Sequence, residues 1–152
     1  MGVEENKKIL QRYFDELMNN GDYSKVDEIL HEDYSGSAGG GLKGVEGHKQ
    51  YTSYMHSVLS DLHWETQEMI ADEDKIAIFQ KLSGIHEKEY GGVPGTGKRF
   101  SFNMVSMYEI KDGKVYRGLT RMLYDSLNMY QQIGVLPSTE EIIKAYNESQ
   151  KM

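Results

Sequence analysis

Two arginines and an aspartate recur at even spacing towards the end of one segment. From Lys114 the residues alternate with period two, so Arg117, Arg121 and Asp125 share a face if the strand is regular. A carboxylate at the end of such a strand can project into a cavity and act there as an acid or a base. Asp125 also directly precedes a predicted helix, where an aspartate caps free backbone N–H groups. The local sequence leaves both roles open.

His86 is a second candidate for chemistry. It is in phase with Ile78 and Leu82, which are predicted to face inward on a long strand. A catalytic or ligand-binding histidine and a hydrogen-bonded wall residue both fit this position. The other histidines, at positions 31, 48, 56 and 63, show no metal-ligand spacing, and the chain has no cysteine. We therefore expect no metal site.

Aromatic and methionine side chains are the predicted walls of a pocket. The chain has eleven tyrosines and nine methionines, which suit an adaptable apolar wall with some hydroxyl groups. Ordinary core packing is the alternative for each of them. The residues predicted to bind substrate are Tyr13, Tyr51, Tyr54, Trp64, Phe102 and Tyr124.

The first half of the chain reads as helices. Apolar residues from Ile9 to Met18 recur at helical spacing, and Gly21 is placed to end that helix. A short helix is predicted over 23–30, and six glycines in residues 35–47 indicate a loop. A third helix follows, with a stripe that we extend from Tyr51 to Leu62.

The second half reads as strands and two closing helices. Period-two alternation predicts strands over 63–71, 75–87, 99–110 and 114–124, with a hairpin turn at Lys111-Asp112-Gly113. Helices are predicted over 126–133 and from the capping-box sequence Ser138-Thr-Glu-Glu141 to about residue 149. Helices followed by long meandering strands indicate an α+β fold in which a curled sheet encloses a pocket.

Composition restricts the partners. A chain of 152 residues is the size of one domain, and its net charge of −7 argues against nucleic acid or an anionic membrane as a partner. No apolar run approaches the ~20 residues of a membrane span, and the polar start does not resemble a signal peptide. A cytoplasmic location is the expectation.

Several segments together resemble one family. They are Gly92-Val-Pro-Gly-Thr-Gly-Lys-Arg-Phe-Ser-Phe102, Tyr108-Glu-Ile-Lys-Asp-Gly-Lys-Val115, Tyr124-Asp125 and Gln131-Gln-Ile-Gly-Val-Leu-Pro137. An aspartate six residues before Gln-Gln-Ile-Gly is the most specific of these features. From about residue 7 to residue 137 the chain resembles the SnoaL-like polyketide cyclases, or ester cyclases, of the NTF2-like superfamily.

This resemblance implies a fold and an activity. The fold is a cone-shaped α+β barrel, in which a curved antiparallel sheet carries the N-terminal helices over its concave face. Residues 1–137 would form the domain, and residues 138–152 a helical extension. Asp125 would be the acid/base of an intramolecular aldol cyclisation, or of a related isomerisation, with no metal or cofactor. A small apolar or polyketide-like ligand and a homodimer are the implied partners.

Departures from the family pattern keep other functions open. Gly36 and Ser37 stand where relatives carry a polar pair, and Arg121 weakens Asp125 as a base for carbon if the two side chains pair. One alternative is an epoxide-hydrolase-like enzyme that uses Arg121 and Asp125, with Glu68 as a second carboxylate. The other is a ligand-binding or dimer-forming domain without catalysis, in which Asp125 serves only as a helix cap.

Overall fold

One five-stranded sheet organises the protein. The computed structural model describes residues 2–36 and 43–151, without the side chains of residues 120–122. The helices are α1 (Val3–Arg12), α2 (Val26–Ile29), α3 (Gly44–Val58), α4 (Ser126–Gln132) and α5 (Thr139–Ser149). The strands are β1 (Leu30–Gly36), β2 (Leu59–Asp72), β3 (Lys75–His86), β4 (Arg99–Lys111) and β5 (Lys114–Tyr124). They lie in the order β1-β5-β4-β3-β2, with β1 parallel to β5 and every other neighbouring pair antiparallel.

The N-terminal helices pack on the concave side of this curved, unclosed sheet. Helix α1 continues into a π-helical segment, Tyr13–Asn19, and the apolar stripe that runs through both is buried. Asn19 at its end exchanges two hydrogen bonds with the backbone of Trp64 in β2, at 2.8 and 2.9 Å. Gly21 then has a φ of 61°, a conformation that favours glycine, and ends the helix as expected.

Strands β3 and β4 supply most of the inner face. In β3 the even-numbered residues from Ile76 to His86 are buried, and in β4 the buried positions include Phe100, Phe102 and Met104. This alternation confirms the period-two prediction for both strands. The sheet thus has one face against the helical core and one face towards solvent.

Two predictions about the first half of the chain are wrong. The third helix ends at Val58, and Leu59 and Leu62 are buried residues of β2 instead. Their spacing fitted a helix, but a bulge at Asp61, with a φ of 53°, lets both face inward from a strand. Strand β1 was not predicted. It overlaps the predicted short helix at Leu30 and the predicted loop at residues 35–36, and no element was assigned to residues 31–34, because its pairing with β5 is not visible in local sequence.

Strand β5 is irregular. Its register against β4 shifts three times, and the last shift lies between the pairs Ser106↔Arg121 and Val105↔Leu123. A shared face for Arg121 and Asp125 was expected only for a regular strand, and that condition is not met, because a bulge separates them. After the bulge, Tyr124 pairs with Met104 of the inner face.

The chain ends in two capped helices. Asp112 and Gly113 form the predicted tight turn between β4 and β5 with φ values of 55° and 72°. The capping box of Ser138 and Glu141 is present at the start of α5, and no residue of α5 is buried. None of the helices in the described part of the chain has the length and apolar character needed to cross a membrane.

Candidate functional site

A small cavity lies between the N-terminal helices, α3 and the concave face of the sheet. Its aromatic wall consists of Tyr13, Tyr34, Tyr51, Trp64, Tyr108 and Tyr124. Met18, Met55, Met104 and Met107 complete much of the rest. Its volume is about 50 Å³, enough for a few water molecules but far below the ~300 Å³ at which pockets for drug-sized ligands begin. A ligand larger than a small ring requires these methionines to change rotamer, which their unbranched side chains allow.

His48 is the polar centre of the cavity wall. It lies on α3 and is only 3% exposed, and its Nε2 is 2.8 Å from the hydroxyl of Tyr13. Its Nδ1 is 2.7 Å from the hydroxyl of Tyr23. The Tyr13 hydroxyl is in turn 3.2 Å from the hydroxyl of Tyr34. Three phenols and one imidazole thus form a continuous hydrogen-bonded chain against the cavity.

Burial keeps the side chains of this hydrogen-bonded chain uncharged. Desolvation lowers the pKa of His48 to about 4, so the imidazole is neutral at pH 7. Desolvation, reinforced by neighbouring tyrosines that include Tyr34 and Tyr108, raises the pKa of Tyr13 well above its usual value. The Tyr13 hydroxyl therefore keeps its proton. The wall offers neutral hydrogen-bonding groups rather than fixed charges.

Asp125 lies at a different place. Its Oδ1 accepts a hydrogen bond of 3.1 Å from the backbone N–H of Asn128, so the carboxylate caps helix α4. It borders an open surface depression of about 540 Å³ together with Lys81, Asn103 and Leu123, which are exposed on the outer face of the sheet. It is not among the described residues that line the cavity.

The comparisons with known proteins agree on one family. The sequence model of the SnoaL-like polyketide cyclases matches residues 8–133, which is most of the chain. The chain belongs to the SnoaL-like polyketide cyclase family. No curated protein matches the chain.

Solved structures show the same fold. TsrD from Streptomyces laurentii superposes with a TM-score of 0.77 at 23% identity, over 90% of this chain and 99% of that one. A SnoaL-like polyketide cyclase from Agrobacterium tumefaciens gives a TM-score of 0.72 at 17% identity, over 85% of this chain and 98% of its own. AclR from Streptomyces galilaeus gives 0.69 at 19%, over 95% of both. The expected NTF2-like architecture is thereby confirmed.

Two of the three predicted catalytic residues of this SnoaL-like chain, His86 and Asp125, are not among the residues that line the cavity. His86 is fully buried but does not line the cavity, and its Nδ1 faces Thr96, with the hydroxyl at 3.1 Å and the backbone N–H at 3.3 Å. That arrangement matches the wall residue we considered as its alternative. The side chain of Arg121 lies outside the described residues, as does Ser37. Only the backbone pairing of Arg121 with Ser106 is described.

The predicted binding residues divide into three groups. Those that line the cavity of the SnoaL-like fold are Tyr13, Tyr51, Trp64 and Tyr124. Phe102 is buried behind Tyr124, with ring centroids 4.9 Å apart in an edge-to-face contact. Tyr54 is 51% exposed, because α3 turns it away from the face that carries Tyr51 and Met55. Its assignment to the pocket is therefore wrong.

His48 and Tyr34 line the cavity but were not singled out from the sequence, and the same holds for Ser106 and Tyr108. His48 was considered only as a metal ligand, although it lies three and seven residues before Tyr51 and Met55 and so shares their buried stripe. Tyr34 was placed next to a loop, because strand β1 was not predicted. Among the described residues, no group of three or more His, Asp or Glu side chains is arranged to hold a metal ion.

Proposed function

We propose that this SnoaL-like protein is a cofactor-free cyclase or isomerase that acts on a small carbonyl compound bound in the cavity. One observation carries the proposal, namely that the hydroxyls of Tyr13 and Tyr34 and the imidazole of His48 converge on a space whose other walls are mainly aromatic and methionine side chains. Such groups can take up the proton that a carbon next to a carbonyl loses when its enolate forms, and can return it.

The chemistry requires only proton transfers and a carbon–carbon bond. In a cyclisation, one C–H bond breaks, the enolate carbon attacks a second carbonyl, and the new alkoxide takes up a proton. In an isomerisation, the proton returns to a different carbon of the enolate. Both reactions balance without an added oxidant or reductant. A site that can both take up and return a proton suits them.

His48 supports the proposal as the base nearest to the cavity. A neutral imidazole with a pKa of about 4 is as basic as an ordinary aspartate carboxylate, and it reaches the cavity through the hydroxyl of Tyr13. No carboxylate is found among the described residues of the cavity wall. The imidazole therefore has the place that a general base needs.

The acid/base role of Asp125, which the family resemblance implies, stays a prediction. The carboxylate is engaged with the N–H of Asn128 at the start of α4. It can serve a substrate in the cavity only if it leaves this cap and crosses from the outer face of the sheet. The substitution Asp125→Asn tests the role cleanly, because asparagine caps a helix as well as aspartate but cannot act as a base.

Cyclohex-3-en-1-one is a suitable probe substrate. Removal of a proton from C2 and its return at C4 gives cyclohex-2-en-1-one, whose conjugation is followed by ultraviolet absorbance. We expect the wild-type protein to accelerate this isomerisation over buffer and Tyr13→Phe to abolish most of the acceleration. Tyr116→Phe is the control, because Tyr116 contacts His31 outside the cavity. Equal rates with and without protein would contradict the proposal.

A ligand-binding domain without catalysis is the second candidate, and the cavity volume of about 50 Å³ favours it. Binding of cyclohex-2-en-1-one with no turnover of its isomer would support it. The epoxide-hydrolase alternative loses one part of its proposed site, because Glu68 is exposed on β2 and does not line the cavity. A homodimer and a cytoplasmic location stay predictions. Light scattering on the purified chain tests the first.

A further inference from the structure

We infer that the hydrogen-bonded chain Tyr34–Tyr13–His48–Tyr23 is a relay that carries a proton between the cavity and a cleft on the protein surface. The inference rests on the proposed function, because it gives the reaction in the cavity a route for its proton. It assigns a role to Tyr23, which does not touch the cavity.

The relay has two ends in different environments. At the inner end, Tyr13, Tyr34 and His48 line the cavity. At the outer end, half-buried Tyr23 and buried Thr52 border an open cleft of about 240 Å³. Lys49 and His56 are the other groups of this cleft that can carry charge. Only the imidazole of His48 separates the two spaces along this route, so a proton that crosses it passes from the cavity to a place that water can reach.

The hydrogen bonds at Thr52 determine which group donates and which accepts along the whole relay. The Thr52 hydroxyl donates to the backbone carbonyl of His48, one helical turn earlier, at 3.0 Å. Its oxygen therefore accepts from the Tyr23 hydroxyl, at 3.0 Å. With its only proton used there, Tyr23 must accept from His48 Nδ1–H.

The same count of donors and acceptors applies from His48 towards the cavity. Because Nδ1 of His48 carries the proton of the neutral ring, Nε2 has none and accepts from the Tyr13 hydroxyl. Tyr13 then has no proton left, so its oxygen accepts from the Tyr34 hydroxyl. Every proton in the chain points from the cavity towards the cleft. The contact between the hydroxyls of Tyr34 and Tyr13, at 3.2 Å, is the longest of the contacts in the relay.

The transfer balances as one concerted shift. The substrate C–H bond breaks, its electron pair stays on the substrate as the enolate, and the proton bonds to the oxygen of Tyr34. The proton of Tyr34 moves to Tyr13, that of Tyr13 moves to Nε2 of His48, and the proton on Nδ1 moves to Tyr23. Tyr23 breaks its hydrogen bond to Thr52 and gives that proton to a solvent base in the cleft, such as hydroxide or a buffer anion. The reverse shift returns a proton to the substrate, and every residue stays neutral.

The relay depends on Tyr23 because the imidazole of His48 stays neutral. An imidazole with a pKa of about 4 disfavours the imidazolium ion in this buried position. His48 therefore gains a proton on one nitrogen readily only if it loses one from the other. Tyr23 is the acceptor for that second proton, so removing its hydroxyl disables the relay without touching the cavity.

The first test reads the tautomer of His48 directly, with nitrogen-15 NMR of histidine-labelled protein. We expect a protonated Nδ1 and an unprotonated Nε2 in the wild-type chain. Tyr23→Phe and Thr52→Val should both shift the proton to Nε2, the first by removing the acceptor and the second by freeing Tyr23 to donate to Nδ1. Thr52→Ser, which keeps the hydroxyl, should restore the wild-type tautomer. A wild-type ring protonated on Nε2, or a tautomer unchanged in both variants, overturns the inference.

The second test measures isomerisation of cyclohex-3-en-1-one in mixtures of H₂O and D₂O. Several exchangeable protons move together in the relay, so the wild-type rate should fall along a downward-bowed curve as the deuterium fraction rises. Tyr23→Phe should be slower by at least roughly tenfold and follow a straight line. A straight line for the wild type, or the same curve for Tyr23→Phe, overturns the relay. If the wild type does not isomerise the probe, the proposed function fails, and the tautomer test alone decides the relay.

Discussion

The concave cavity and the outer end of β5 differ in nearly every property that matters for chemistry. The cavity combines tyrosines, methionines and a neutral His48 in a small space lined mostly by buried side chains. The end of β5 presents Asp125 at a larger, open depression, beside exposed Lys81 and Asn103. The family pattern in the sequence points to the second region, whereas the enclosed polar groups lie in the first. Motif and pocket are separate criteria, and here they select different sites.

Backbone irregularity produces this separation. The final bulge of β5 sets Tyr124 against Met104 of the inner face, and Tyr124 lines the cavity. The next residue, Asp125, turns out of the strand to begin α4. A shift of one residue in a strand exchanges its two faces, so the bulge decides which of these neighbours reaches the cavity.

A fall in pH should destabilise the folded chain through the buried His48 in the cavity wall. The pKa of His48 is about 4 in the folded chain and near 6.5 when unfolded, so the unfolded state binds more protons in between. The stability that the neutral ring contributes is complete above pH 6.5 and is lost as the pH falls towards 4, by about 3 kcal/mol. Urea unfolding of wild-type and His48→Gln proteins between pH 4 and pH 7 measures this. His63→Gln, at an exposed position, is the control and should keep the wild-type slope. The same slope in His48→Gln would contradict the assignment.

Loss of the Tyr13 hydroxyl should show that the reaction depends on the cavity and not on the end of β5. Tyr13→Phe removes the link between His48 and the cavity, so we expect isomerisation of the probe ketone to fall by roughly 100-fold. It also leaves Nε2 of His48 without its partner, at a cost of about 1–3 kcal/mol in unfolding free energy. Rates are therefore compared well below the melting temperature of the variant. A rate within a factor of two of wild type would remove Tyr13 from the mechanism.

The end of β5 should respond as a helix cap. Asp125→Ala should lower the free energy of unfolding by about 1 kcal/mol, because the N–H of Asn128 loses its acceptor. Asp125→Asn should restore that stability, and its isomerisation rate should stay within about threefold of wild type. Thermal melts and probe kinetics on the same preparations measure both quantities. A stable Asp125→Asn protein without activity would instead give Asp125 the acid/base role.

The smallest effect should come from a tyrosine outside both regions. Tyr54 is about half exposed on α3, so Tyr54→Phe should change stability by less than about 0.5 kcal/mol and leave probe kinetics unchanged. Tyr51→Phe is its partner in the comparison, since Tyr51 lies one turn away and lines the cavity. A larger effect of Tyr54→Phe than of Tyr51→Phe on kinetics would place the site elsewhere.

How much the sequence predicts depends on the range of the contacts involved. Strands β3, β4 and β5, the turn at Asp112 and the cap at Ser138 all follow from neighbouring residues, and they were predicted nearly to the residue. Strand β1 was not, because its parallel partner β5 lies some eighty residues further along the chain. The same limit hid Tyr34, which lies on that strand.

The cavity shows a second limit. The tyrosine and methionine content suggested a pocket wall, and four of the six predicted binding residues line the cavity. His48 could have been found from its place on the buried stripe of α3. Its partners Tyr13 and Tyr23 could not, because they come from other segments that only the folded chain brings to α3.

The position of a bound carbonyl compound tests the central claim most directly. Carbon-13 labelling of the methionine methyl groups reports on Met18, Met55 and Met104 around the cavity, and the backbone N–H of Asn128 reports on the Asp125 cap. On titration with cyclohex-2-en-1-one, we predict shifts at the three methionines and an unchanged Asn128 signal. Shifts confined to Asn128 and its neighbours, with the three methionines unmoved, would place the site at the end of β5 and contradict the account.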